Sequence, residues 1–187
     1  MLKDEVNKAL EVVRKGGVIL YPTDTIWGIG CDATNEAAVR RVFEIKRRAD
    51  SKAMISLVDN PNRLARYVRD IPDVAWDMME LATTPLTIIY DDVMGLAPGM
   101  IAEDGSAAFR VTKEEFSHEL CFRLQKPLVS TSANISGEPT ARTFKEISDE
   151  IKNAVDYVVH YSQQGKEKHQ PSRIVKIGKN CEVKVIR

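Results

Sequence analysis

Apolar residues recur at helical spacing near the start of the chain and then give way to a short continuous apolar run. Val6, Leu10 and Val13 share one helical face, which predicts a helix over residues 4–15. Asp4 is placed to cap its first turn, and two glycines directly after residue 15 end it. The apolar run that follows ends at a proline, which is typical of a short buried strand.

The rest of the chain repeats this alternation of helical and extended patterns. Further helices are predicted over residues 35–48, 62–68, 74–81, 116–125 and 144–152. Strands are predicted over residues 18–21, 26–31, 53–58, 86–90, 107–111, 127–129, 157–160, 173–177 and 183–186. Only residues 162–169 read as a flexible loop, and nothing marks a domain boundary. The sequence therefore predicts one α/β domain over residues 1–187, with a substantial sheet and flanking helices.

Composition excludes several classes of protein. The 187 residues are 43% hydrophobic and 29% charged, enough for a core without disulfides or metal. No apolar run is long enough to span a membrane and the start is not a signal peptide, so we expect a cytoplasmic protein without a membrane partner. Cys31, Cys121 and Cys181 are widely separated, and the histidines have no metal-binding spacing.

Charge is balanced overall but uneven along the chain. Lys and Arg number 27, as do Asp and Glu, which argues against a protein that coats nucleic acid by bulk electrostatics. Basic residues nevertheless concentrate in residues 40–52. A solvated helix face explains such a cluster, and so does a site for a small anionic ligand.

Two polar segments interrupt the apolar strands. Residues 22–30 carry hydroxyls and two glycines after a buried strand, a pattern shared by simple turns and by ligand loops. Residues 130–137 place several hydroxyls and a carboxamide after another buried strand, more than the N-cap of a helix needs. Since ligands bind beyond strand ends in open α/β sheets, the second segment favours a binding site.

Cationic and hydroxyl residues elsewhere complete the candidate chemistry. Lys46 and Arg48 end the second predicted helix, where they either favour its dipole or clamp a phosphate. The chain has no P-loop and no nucleophile elbow, and neither His118 nor His169 has an evident orienting partner. A site of hydroxyls, an amide and cations stabilises charge and does not supply a nucleophile.

Three of these segments together resemble the YrdC family. They are Pro22-Thr23-Asp24-Thr25-Ile26-Trp27-Gly28, the Lys46-x-Arg48 pair, and Ser130-Thr131-Ser132-Ala133-Asn134-Ile135-Ser136-Gly137. The resemblance implies an open, twisted mixed sheet with flanking helices around a basic cavity. It also implies an L-threonylcarbamoyladenylate synthase, which joins L-threonine, bicarbonate and ATP and releases pyrophosphate. The product then serves a threonylcarbamoyl-transferase machinery that modifies tRNA.

The resemblance also implies a role for each matching residue. Lys46 and Arg48 would be catalytic, with Arg48 also contacting the nucleotide. The other nucleotide-binding residues would be Lys52, Ser106, Ser132, Asn134, Thr140 and Arg187. The threonine-binding residues would be Thr25, Arg110, Ser130 and Ser172. Mg²⁺ is expected to accompany ATP, with no protein metal site of its own.

Some features depart from the family pattern and keep alternatives open. Ala82-Thr83-Thr84-Pro85-Leu86-Thr87 stands where the family commonly has Trp-Pro-Gly-Pro-Leu-Thr. A YciO-type paralogue and a double-stranded-RNA-binding protein, both without synthase activity, are the competing interpretations. The absence of aromatic stacking motifs weakens the RNA interpretation, and tRNA or double-stranded RNA stays open as an additional partner.

Overall fold

The computed structural model describes residues 1–48, 54–163 and 171–187. Its helices are α1 (Leu2–Arg14), α2 (Glu36–Ile45), α3 (Pro61–Leu64), α4 (Asp73–Leu81), α5 (Glu115–Leu124) and α6 (Asp149–Ala154). Its strands are β1 (Ile19–Tyr21), β2 (Gly28–Gly30), β3 (Ile55–Val58), β4 (Leu86–Tyr90), β5 (Ala107–Val111), β6 (Leu128–Ser132), β7 (Tyr157–Val158), β8 (Arg173–Ile177) and β9 (Val183–Val185). Two short 3₁₀ helices cover Pro98–Met100 and Phe144–Glu146.

All of these strands join one mixed sheet in the order β7-β1-β2-β6-β3-β5-β4-β8-β9. The pairs β1–β7, β3–β5 and β4–β8 are parallel, and the remaining neighbours are antiparallel. Helix α1 packs on α5, and α5 packs on β3, so helices cover one face of the sheet at its centre. The predicted α/β fold with a mixed sheet and flanking helices is confirmed.

Helix ends account for most differences from the predicted elements. Asp4 is not the N-cap of α1, because the helix starts at Leu2 and Asp4 lies in its first turn, where it accepts a hydrogen bond from the amino group of Met1. Helix α2 ends at Ile45 instead of residue 48, since Arg47 takes a left-handed conformation with φ 49°. The helix predicted over 144–152 is divided because Ser148 caps a new helix by accepting from the Ile151 amide.

Strand β6 extends three residues further than predicted. Ser130, Thr131 and Ser132 belong to the strand itself, because they pair with β2 on one side and, in part, with β3 on the other. Their side chains therefore lie on the sheet and not in a loop after it. The predicted loop at 162–169 lies mostly outside the described residues. Within the described parts of the chain, no helix is long and apolar enough to cross a membrane.

Glycine is required at one point where two strands and a ring meet. A Cβ at Gly30 in β2 would lie 2.2 Å from the carbonyl oxygen of Val129 and 2.7 Å from the ring of Tyr21. Neither neighbour has room to move, since Tyr21 is fully buried and its hydroxyl donates to the same Val129 carbonyl at 2.8 Å. This glycine serves the close packing of β1, β2 and β6 instead of a ligand.

Candidate functional site

One face of the sheet forms the floor of a cavity of about 1300 Å³. Ile55 in β3 pairs with Ser130 in β6 and with Ala108 in β5, so these three residues form a row across the floor. Thr87 in β4 pairs with Arg110 in β5, which begins the next row. Residues two apart in a strand share a face, so the register brings hydroxyls and a guanidinium from distant parts of the chain onto one surface.

Most of the predicted site residues line this cavity. They are Thr25, Arg48, Ser106, Arg110, Ser130, Ser132, Thr140, Ser172 and Arg187. Lys46 and Asn134 do not line it, and Lys52 lies outside the described residues. The structure thus brings together residues that are up to 162 positions apart in the sequence, from Thr25 to Arg187.

The cavity is basic. Among the described residues, its charged lining consists of Arg48, Arg110, Arg142 and Arg187, with no aspartate or glutamate. Guanidinium groups hold carboxylates and phosphates through paired hydrogen bonds. The cavity therefore suits one or more anionic ligands. Of the basic cluster at residues 40–52, Arg48 lines it, whereas Arg40, Arg41 and Arg47 form ion pairs at the surface.

Arg110 lies at the buried end of the cavity, with only 3% of its surface exposed. Its Nη2 lies 3.0 Å from Asp24 Oδ1, an ion pair that is not aligned as a hydrogen bond, and donates weakly to Thr25 Oγ1 at 3.4 Å. Its Nε has no hydrogen-bond partner among the described residues. Burial raises the pKa of Asp24, and the nearby charge of Arg110 opposes this rise. Arg110 thus lines the cavity, while its Nε is enclosed by protein without an acceptor among the described residues.

Arg48 reaches the cavity from the turn after α2. The left-handed Arg47 reverses the chain there, so Arg47 pairs with Glu150 at the surface while Arg48 reaches Thr131 Oγ1 in β6 at 3.4 Å. Burial lowers the pKa of Arg48, which remains a cation at neutral pH. The hydroxyl of Thr131 accepts from this guanidinium, which leaves its own proton available to another acceptor.

Lys46 does not lie at an exposed cavity wall beside Arg48, as the phosphate-clamp interpretation requires. Only 2% of its surface is exposed, and its ammonium donates to the carbonyls of Ser132 at 2.5 Å and Asn134 at 2.7 Å. Burial and the charge of Arg48 lower the pKa of Lys46 to about 8. The Lys46 carbonyl in turn accepts from the Ser136 amide at 2.9 Å. Lys46 therefore ties the end of α2 to the segment that follows β6.

Asn134 belongs to this same segment. Its side-chain nitrogen donates to the carbonyl of Glu138 at 2.7 Å, while its Oδ1 is buried and has no partner among the described residues. A buried acceptor without a partner is costly. Asn134 thus has one structural hydrogen bond and one enclosed oxygen without a partner among the described residues, and it does not line the cavity.

Ser172 and Arg187 close the opposite side of the cavity. Thr87 Oγ1 donates to Ser172 Oγ at 3.0 Å, which leaves the proton of Ser172 free to donate. Arg187 Nε and Nη2 donate to the carbonyl of Ser172 at 3.3 and 3.2 Å. The two residues act as one unit, because the arginine fixes the backbone that carries the serine.

Two polar lining residues, Thr87 and Arg142, were not assigned to the site from the sequence. Thr87 was placed in a strand and in the stretch compared with the family pattern, but its position opposite Arg110 depends on strand register, which the sequence pattern does not give. Arg142 had a possible signal, since it lies just beyond the segment 130–137, but a single exposed arginine carries little information. Thr83 and Thr84, the departure from the family pattern, line a separate cavity of about 330 Å³ that also borders Asp24.

Known proteins resemble this chain in sequence and in fold. A model of the Sua5/YciO/YrdC family, described as "Telomere recombination", matches residues 11–187. A curated protein from Pseudomonas aeruginosa named threonylcarbamoyl-AMP synthase is 39% identical over 154 residues, which cover 81% of this chain and 82% of that protein.

Two solved structures are similar in fold. E. coli YciO has a TM-score of 0.84 at 25% identity, with 100% of this chain and 89% of that chain covered. P. abyssi Sua5 complexed with L-threonine has a TM-score of 0.82 at 21% identity and covers 97% of this chain. This chain spans 53% of that Sua5 chain, about half of its length.

Proposed function

Because this chain belongs to the Sua5/YciO/YrdC family, we propose that it synthesises threonylcarbamoyl-AMP from L-threonine, bicarbonate and ATP, with release of pyrophosphate. The observation that carries the proposal is the basic cavity, whose described lining has arginines at separate positions and no carboxylate. A cavity of about 1300 Å³ has room for an amino acid and a nucleotide side by side.

The reaction needs charge stabilisation more than a protein nucleophile. The amino group of threonine displaces water from bicarbonate to give a carbamate. A carbamate oxygen then bonds to the α-phosphorus of ATP, and the bond from that phosphorus to the leaving pyrophosphate breaks. Negative charge builds up on the pyrophosphate, so fixed guanidinium groups lower the barrier. The cavity offers these groups, and its lining includes no cysteine or histidine among the residues that the structure describes.

Arg110 and the nearby hydroxyls form the proposed threonine end. Arg110 lines the cavity, and a buried guanidinium binds a carboxylate such as that of threonine strongly because water does not compete. Ser172 has a free proton to donate. Thr25 and Ser130 line the same end of the floor and supply oxygens for the amine and hydroxyl of the substrate.

Arg48 carries the proposed nucleotide end, together with Ser132 and Thr140 from the cavity lining. Arg187 is proposed to contact the nucleotide from the opposite side, where it holds the backbone of Ser172. Lys52 is expected to join them and lies outside the described residues. Lys46 and Asn134 support this end from behind the wall, since Lys46 holds the backbone at Ser132 and Asn134. In this arrangement Arg48 is the catalytic cation that contacts phosphate, and Lys46 positions the segment beside it.

The residues present are compatible with Mg²⁺ bound together with ATP. No group of three or more histidine, cysteine, aspartate or glutamate residues in the described parts of the chain could hold the ion by itself. Ser132 and Thr140 line the cavity at the proposed nucleotide end and offer hydroxyl oxygens, whereas Asn134 Oδ1 is buried and does not line it. Mg²⁺ commonly keeps several waters and takes most other ligands from substrate phosphates, where it neutralises charge.

The product implies a further enzyme. Threonylcarbamoyl-AMP is a mixed anhydride, so we propose that a threonylcarbamoyl-transferase acting on tRNA consumes it. Direct binding of tRNA or double-stranded RNA does not follow from the synthase proposal. A basic surface stripe is typical of nucleic-acid binding, whereas the described basic residues of this site line a cavity.

A YciO-type protein without synthase activity is the second candidate. The observation that favours it is the likeness to E. coli YciO, which extends over the whole of this chain and most of that one. The curated synthase from P. aeruginosa is the closer match in sequence of the two, at 39% against 25% identity. This difference supports the synthase.

The deciding experiment incubates the chain with ATP, L-threonine and bicarbonate and follows pyrophosphate and the adenylate by mass spectrometry. We expect an adenylate that contains all three parts, with release of one pyrophosphate, and background levels when any substrate is withheld. The Arg48→Ala variant serves as the matched control for contaminating activity. ATP hydrolysis to ADP that ignores threonine, or no adenylate at all, would overturn the proposal.

A further inference from the structure

Ser106 differs from the other hydroxyls of the cavity in the partner it uses. It directly precedes β5, is 5% exposed and lines the cavity. Its Oγ lies 2.5 Å from Asp104 Oδ1, and its backbone amide donates to the same oxygen at 3.0 Å. Gly105 between them has φ +77°, a left-handed conformation that turns the chain. This turn brings the hydroxyl of Ser106 back onto the carboxylate of Asp104.

Asp104 is an acceptor and not a donor in this contact. Lys176 donates to its other oxygen at 2.9 Å and also lies 3.3 Å from Asp91. The hydrogen bonds from Ser106, followed by that from Lys176, lower the pKa of Asp104 to about 2. An ionised carboxylate has no proton to give, so the hydroxyl of Ser106 must be the donor. Because a hydroxyl has a single proton, Ser106 has only lone pairs left for the cavity.

The position of Ser106 in the sheet separates it from the phosphate end. Arg48 contacts Thr131 in β6, and β6 is joined to β5 through β3. Two strand spacings amount to about 10 Å. Ser106, just before β5, thus lies about two strand spacings from the strand that Arg48 contacts, a separation that suits the nucleoside part of a nucleotide whose phosphates meet Arg48.

We propose that Asp104 fixes Ser106 as a hydrogen-bond acceptor, so that this side of the cavity recognises an N–H or O–H donor of the nucleoside part of ATP and disfavours its phosphates. The proposal rests on the proposed function, since it assumes that the ligand is ATP. Asp104 is a positioning residue that acts through Ser106. The donor is a sugar hydroxyl or the amino group of the base, and nucleotide analogues distinguish them.

The test compares binding of ATP with binding of 2′-deoxy-ATP, 3′-deoxy-ATP and purine riboside triphosphate, which lacks the 6-amino group. We expect one of the three analogues to bind the wild type about 3–10-fold more weakly than ATP, the effect of one lost neutral hydrogen bond. Ser106→Ala should bind ATP as weakly as it binds that analogue. Asp104→Asn should reduce the discrimination. The carboxamide has an N–H donor as well as an oxygen, so Ser106 Oγ can accept from it and turn its own proton towards the cavity.

Lys176→Met is the matched control, since it removes a partner of Asp104 but leaves the carboxylate that holds Ser106. Its discrimination should equal that of the wild type, and unfolding midpoints show whether each variant keeps the fold. Equal binding of ATP and all three analogues by the wild type, or discrimination that survives in Ser106→Ala, overturns this proposal while the synthase activity stands. A wild type that binds no nucleotide at all overturns both proposals.

Discussion

Replacing Lys46 tests whether the family lysine acts on the reaction directly or through the segment after β6. In Lys46→Met the aliphatic part of the side chain is kept, but both hydrogen bonds of the ammonium group are lost. The Ser132 carbonyl still accepts from the Asn134 amide at 2.9 Å. The Asn134 carbonyl has no second donor among the described residues, so it becomes an unpaired acceptor.

The magnitude follows from these two acceptors. An unpaired, partly buried carbonyl costs about 1–3 kcal/mol, and the lost bond to the Ser132 carbonyl adds about 1 kcal/mol. We therefore expect Lys46→Met to lower the free energy of unfolding by about 2–4 kcal/mol. Urea unfolding followed by tryptophan fluorescence measures this, because Trp27 is buried. The matched control is Arg47→Ala, which breaks an exposed ion pair with Glu150 and should cost less than about 1 kcal/mol.

The pH dependence gives a second measurement of the same contact. The pKa of Lys46 falls from its ordinary 10.5 to about 8 on folding. Between these values the unfolded chain binds more protons, so the contribution of Lys46 to stability rises with pH in this window. The neutral amine keeps two N–H groups, enough for both carbonyls. The difference in unfolding free energy between wild type and Lys46→Met should widen from pH 8 towards pH 10.

Two results would refute this reasoning. A Lys46→Met variant as stable as the wild type, yet without turnover, means that Lys46 contacts the reacting atoms and does not hold the segment. A stability difference that stays constant from pH 8 to pH 10 means that Lys46 does not titrate in this window.

The remaining predictions concern the cavity lining and its substrates. Arg48→Ala should lose about 2–5 kcal/mol of transition-state stabilisation, the usual cost of truncating a charged partner of a bound phosphate, while its unfolding midpoint stays unchanged. Near-normal turnover of this variant would show that Arg48 does not bind phosphate. Arg110→Ala should weaken threonine binding far more than ATP binding in calorimetry, with partial rescue by Arg110→Lys; equal loss of both ligands would assign Arg110 to the nucleotide or the fold. Serine should replace threonine with a kcat/KM about 10–200-fold lower, if the cavity surrounds the substrate methyl group; equal rates would show that the methyl group is not enclosed.

Local patterns in the sequence determined the elements and most of the chemistry. The strands at Leu86–Tyr90, Ala107–Val111 and Arg173–Ile177 agree with the prediction at both ends, because short, largely apolar segments rich in β-branched and aromatic residues favour a strand. Most of the site residues expected from the sequence also line the cavity. Hydroxyls and arginines among apolar strands are unusual enough to stand out before any contact is known.

Helix ends were less predictable, because they depend on single backbone conformations. The left-handed Arg47 ends α2 early, and no pattern in the basic run around it indicates which residue takes that conformation. The same turn separates the two cations of the motif, since it sends Lys46 into the interior and Arg48 to the cavity. The Lys46-x-Arg48 pattern by itself predicted the same phosphate-binding role for both residues.

Only the tertiary structure decided which partners each polar group uses. Strand register places Thr87 opposite Arg110 and aligns Ser130 with Ile55 and Ala108, and register depends on pairing between distant segments. The sequence determined which chemical groups the cavity contains. The fold decided which of their donors and acceptors are already used and which remain for a ligand, because that depends on distances between residues far apart in the chain.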